Sequence, residues 1–149
     1  MCIFEERECD IEGMIGYVVV IREPHTIPND ICYRSIYRTY YVAHPNVKME
    51  ANMIGGYGLS AVGGFHAFKT LKAAKIEKNC WSGDDSVIVE CLMENIFSEG
   101  MFYIFPTNID FTSPLYSNKR HKAIRAKFRT ILKEIVPEEK KDKRKGKKL

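Results

Sequence analysis

Apolar and polar residues alternate, cluster or cycle differently along the 149-residue chain, and each change of rhythm marks an element. "MIGYVVVIRE", Met14 to Glu23, is a compact β-branched run closed by Glu-Pro, which predicts a strand. Ile31 to Ala43 alternates: Tyr33, Ser35, Tyr37, Thr39 and Tyr41 share one face, and Cys32, Arg34, Ile36, Arg38 and Tyr40 the other. That pattern predicts a long aromatic strand pairing with the first. "FHAFK" reads as a short strand, and Thr70 is placed to cap a helix from Leu71 to about Lys78. "SVIVECLMEN" and "GMFYIFPT" read as two strands joined by a hairpin at "IFSEG". Finally, Ile124, Phe128, Ile131, Leu132 and Ile135 recur at i, i+4, i+7, i+8 and i+11, the rhythm of an amphipathic helix that Pro137 stops.

The order β-β-loop-β-α-β-β-α predicts an α+β fold. It is a single domain over residues 1–137, with a mainly antiparallel sheet, a short middle helix and a C-terminal amphipathic helix. "EEKKDKRKGKKL", residues 138–149, has no apolar face and predicts a disordered basic tail. Between the second and third strands lies a stretch of nearly 20 residues without periodicity, holding five of the ten glycines. A connection of that length is either functional or conceals an element.

Composition narrows the class. Hydrophobic content of 45% and charged content of 28% are globular values. The longest apolar stretch, "MIGYVVVI", is too short for a helix to cross a bilayer. "MCIFEEREC" carries acidic residues where a secretory signal would be basic, so export by that route is not expected. Cys2, Cys9, Cys32, Cys80 and Cys91 are odd in number and contain no C-x-x-C, which suggests reduced thiols in a cytoplasmic setting. The net charge of +4 conceals a partition. Residues 118–149 carry 14 Lys and Arg against 4 acidic residues, so the remainder of the chain is acidic. Such asymmetry points to an interaction segment for a polyanion.

"GYGLSA", Gly56 to Ala61, satisfies the letter of a dinucleotide fingerprint, but no buried strand leads in, and Gly63-Gly64 disfavours a helix leading out. "SGDDSVIVE" resembles the Gly-Asp-Asp turn of viral RNA-dependent RNA polymerases. That two-metal chemistry needs a second aspartate-bearing strand, so Asp84 and Asp85 read as exposed turn residues. His66 suits acid-base chemistry near neutral pH, yet alternation also allows it to lie half-buried beside Phe68. No metal site and no cofactor is expected from these spacings.

"GGFHAFKTLKAAK" followed by "VIVECLMEN" resembles small, uncharacterised phage and bacterial proteins in which a Gly-Phe-His strand precedes a short helix. The resemblance covers residues 55–95 and implies an accessory protein, in the host cytoplasm if phage-encoded. A more distant likeness is to ADP-ribosyltransferases. Arg34 in "CYRSIY", Phe65 to Phe68 in "GFHAFKTLKAA" and Glu90 or Glu94 in "VIVECLMEN" occur in that family's order of catalytic elements, with Arg34, His66 and Glu90 as the candidate constellation. The likeness implies an NAD-using transferase with those three as catalytic residues.

The basic end gives the leading expectation. On a helix, Lys122, Arg125, Arg129 and Lys133 would form a cationic row opposite the apolar stripe, extended by Lys140, Lys141, Lys143, Arg144 and Lys145 in the tail. This predicts a binding or accessory protein whose basic end contacts nucleic acid or an acidic protein surface. The bland alternative is a solvated helix face with a solubilising tail. A third class is a structural subunit of a larger, virion-like assembly, which an exposed apolar patch would favour.

Overall fold

The computed structural model describes residues 3–24, 31–36, 42–53, 63–80, 85–103 and 120–136. Its frame is three long strands in antiparallel register: β1 (Phe4–Pro24), β6 (Ser86–Tyr103) and β7 (Arg120–Ile135), with β6 between the other two. The shorter strands are β2 (Ile31–Ser35), β3 (Val42–Ala43), β4 (Lys48–Glu50) and β5 (Phe65–Phe68), and one helix, α1, spans Leu71–Asn79.

The sheet closes on itself through β5. β5 pairs with β7 from Phe65↔Ala126 to Phe68↔Ala123 and meets β1 at Tyr17↔Phe68, so β1, β6, β7 and β5 form a ring of antiparallel pairs. Further along, β2 extends β1 over Val20–Pro24 and β3 extends β2. The chain then crosses to β7, where Asn46 N donates to Ile131 O at 2.8 Å and β4 pairs with Phe128–Thr130. Closure of this kind satisfies strand edges that an open sheet would leave unpaired. Gly16 permits the crossing of β5 over β1: a Cβ there would lie 2.8 Å from Ala67 Cβ and 3.1 Å from Met93 Cγ.

Strands this long close only by bending, and the bends are visible in the register. β1 gains one residue against β6 between Phe4 and Arg7 and another between Glu8 and Ile11, with Glu5 at φ 51° inside the first shift. Such bulges sharpen the local twist. At the level of Asn95 (φ 52°) the inward-facing residues step by three instead of two in all three strands: Ile11 to Met14, Ile96 to Met93, Ala126 to Arg129. Inside the ring pack Val18, Val20, Phe65, Ala67, Val89, Cys91, Met93, Ile96, Ile124, Ala126 and Ile131.

A second core lies outside the ring. Thr70 caps α1, its hydroxyl accepting from Ala73 N at 3.3 Å. Ala73 and Ala74 are fully buried on Val19, Phe68, Ile88, Phe102 and Ala123. Phe68 and Phe102 meet edge-on with centroids 5.3 Å apart. Phe65 and Ala67 thus point into the ring while Phe68 points under the helix.

Three expectations are corrected. Among the described residues the fold is not α+β but mostly antiparallel β with one short helix, and the C-terminal amphipathic helix is instead the strand β7. The physical reason is a shared spacing. Inward residues Ile124, Ala126, Arg129 and Ile131 step by two, three and two, and that sum of seven is also two turns of helix. Nor is there a hairpin at "IFSEG": Ile96 to Gly100 run through the middle of β6, paired with both neighbours. Of the predicted aromatic strand, Ile31–Ser35 and Val42–Ala43 are strands, whereas Tyr37 to Tyr41 lie outside the described residues. Among the described residues, no helix is long and apolar enough to cross a membrane.

Candidate functional site

The inward face of the ring is apolar in the middle except for Arg129, and charged side chains gather at its mouths. Just past the end of β5 comes Lys69, and two residues before Ile124 on β7 comes Lys122; Lys69 N donates to Lys122 O at 3.0 Å. Register places Glu99 opposite Ile124, Met101 opposite Lys122, and Arg7 opposite Glu99. Arg7, Lys69, Glu99, Met101 and Lys122, with Glu5 and Gly100, line a cleft of about 210 Å³.

Three cations therefore face two carboxylates. Glu99 is doubly held: Arg7 reaches Oε1 through Nε at 2.8 Å and Nη2 at 2.6 Å, and Lys69 Nζ reaches Oε2 at 2.6 Å. The Lys69 and Arg7 hydrogen bonds keep its carboxyl below the usual carboxylate range. At the rim, Arg120 lies 3.5 Å from Glu5. Lys122 is exposed and makes no ion pair among the described residues, so its charge is available to a ligand. Behind the cleft, Cys9 Sγ leans on Ile96 O at 3.8 Å. Burial, then the charge of Glu99, raises its pKa, which makes it a thiol and a poor nucleophile.

The predicted cationic row is divided by the strand. Lys122 lines the mouth. Arg125 is buried against the outside of the ring, where Nη2 meets Glu6 Oε1 at 2.8 Å, Nε donates to Ser98 Oγ at 3.3 Å and Nη1 donates to Gly63 O at 3.3 Å. Its guanidinium also covers the Phe97 ring at 4.8 Å, and Ser98 Oγ donates in turn to Glu6. Arg129 is buried inside the ring, and Lys133 is exposed, 3.8 Å from Glu90. Lys140, Lys141, Lys143, Arg144 and Lys145 lie outside the described residues, as do Gly56 to Ala61 and Asp84.

Arg34, His66 and Glu90 are not brought into one site. Arg34 sits beside Ile21 and is tied to Glu23 at 2.7 Å. Glu90 sits beside Tyr17 and Lys133, four residues back along β1, about 13 Å at strand spacing. His66 pairs with Arg125 on a different ladder and is half-buried.

Arg7, Lys69 and Glu99 were not legible as a group because dozens of residues separate them; a closed sheet alone assembles them. At the other mouth, Tyr33 Oη donates to Glu134 Oε1 at 2.8 Å and Arg22 reaches Glu134 Oε2 at 3.2 Å. Burial, that hydrogen bond and the carboxylate charge push the Tyr33 phenol up to about 12. Comparison with family models, curated proteins and solved structures finds no match to this chain.

Proposed function

We propose that the protein is a binding module for nucleic acid, taken by its phosphates at the charged mouth. The observation that carries this reading is Lys122 beside Arg7 and Lys69 in one concave cleft, with Arg120 on the rim. Glu99 fixes Arg7 and Lys69 in place while using only part of the guanidinium's five donors, so N–H groups remain for a phosphate. The basic segment after Pro137 supplies further charge from the same end of the sequence. Phosphate contacts of this kind position a nucleic acid without reading its bases.

Fluorescence anisotropy with short single-stranded and duplex oligonucleotides at two salt concentrations tests it. Arg7→Gln with Lys122→Gln is expected to weaken binding at least tenfold and to flatten the slope of log affinity against log salt by nearly two on duplex. Full affinity in that double variant, with binding lost on deletion of residues 138–149, would refute the mouth as the site.

A further inference from the structure

The ring holds a charge that the mouth does not explain. Arg129 is 8% exposed, on the inward-facing level that runs Met14, Met93, Arg129, Met49 across four strands. Its guanidinium carbon lies 4.5 Å over the Phe65 ring. The Nε is buried and makes no hydrogen bond among the described residues, and none of their carboxylates pairs with the guanidinium. Arg125, four residues earlier and equally buried, has a carboxylate, a hydroxyl and a carbonyl.

A buried guanidinium keeps its proton, and an unpaired buried charge is strongly unfavourable. The Phe65 face offsets part of that cost. An anion would offset the rest. A planar fork fits a carboxylate in two parallel hydrogen bonds, and the neighbours that register places around Arg129 are apolar, so the remainder of such a ligand must be apolar too. Met14, Met49, Met53 and Met93, four of the chain's six methionines, belong to or pack against this interior. Unbranched and polarisable, methionines repack around a guest more readily than β-branched residues. Met49 and Met53 are half-buried, at the seam where β4 gives way to β5.

We propose that Arg129 and Phe65 form an interior site for a small apolar monocarboxylate, separate from the mouth. Its carboxylate pairs with the guanidinium and its hydrocarbon body lies among the methionines.

Thermal unfolding of the full chain in sodium hexanoate, against 1-hexanol and sodium chloride at matched ionic strength, tests this. The midpoint is expected to rise saturably with hexanoate and not with hexanol or chloride. Arg129→Met should abolish the rise, and without ligand it should be at least as stable as wild type, because an uncompensated charge has gone. Lys122→Gln should keep the full response, which separates this site from the mouth. A hexanoate response that survives in Arg129→Met, or is matched by hexanol, overturns the proposal. If Arg129→Met does not fold, the arginine Nε–H spectrum of the wild type decides: hexanoate must shift one buried Nε signal that hexanol leaves in place, and no shift overturns the site.

Discussion

At the scale of single residues, the ring depends on a missing side chain. Ala67 Cβ is fixed to its backbone and cannot yield to a new methyl 2.8 Å away, so Gly16→Ala forces the β5 crossing apart. Overpacking of this kind costs about 1–3 kcal/mol. Gly13→Ala is the control, since its Cβ would meet nothing nearer than 3.5 Å. Urea unfolding should show Gly16→Ala destabilised by that amount and Gly13→Ala close to wild type; equal behaviour would remove the steric account. Tyr33 gives a second test. Its pKa is about 12 in the folded chain against an ordinary 10, so its contribution is complete below pH 10 and is lost as pH rises to 12. The stability advantage of wild type over Tyr33→Phe should narrow by on the order of 2 kcal/mol across that window. An advantage that stays constant from pH 9 to 12 would contradict it.

At the scale of elements, legibility followed the locality of the signal. The strand Phe65–Phe68 and helix α1 were readable because their cues are adjacent in sequence: a cap at Thr70 and the short apolar run of "FHAF" just before it. β7 was not readable, because a strand that resets its alternation once imitates the heptad spacing of a helix. Its β-branched and aromatic residues, Ile124, Phe128, Thr130, Ile131 and Ile135, were the available warning. β6 was read as two strands instead of one for a related reason: "SEG" has turn composition, but two partner strands override that local preference. The helix cap can be tested alone. Thr70→Ala removes the acceptor for Ala73 N and should cost about 1 kcal/mol, whereas Thr70→Ser should cost little. Equal losses in chemical denaturation would show that the hydroxyl is idle.

At the scale of the whole molecule, almost nothing that matters is local. The mouth joins Arg7 to Glu99 and Lys122, and the interior joins Met14, Met93 and Arg129. Such topologies close large loops before any contact rewards them, which places refolding in the range of milliseconds to seconds. Stopped-flow refolding from urea, followed by Trp81 and tyrosine fluorescence, checks this; completion within microseconds would contradict the register. The long pairing of β1 with β6 also bears on synthesis. β1 leaves the ribosome before its main partner exists, and roughly 60 residues must be added before β6 begins. At about 5–20 residues per second, that leaves a β-branched strand waiting for about 3–12 s. The acidic residues Glu5, Glu6, Glu8, Asp10 and Glu12 at its leading half would then keep nascent copies from pairing with one another on a polysome, before any of them serves the folded ring.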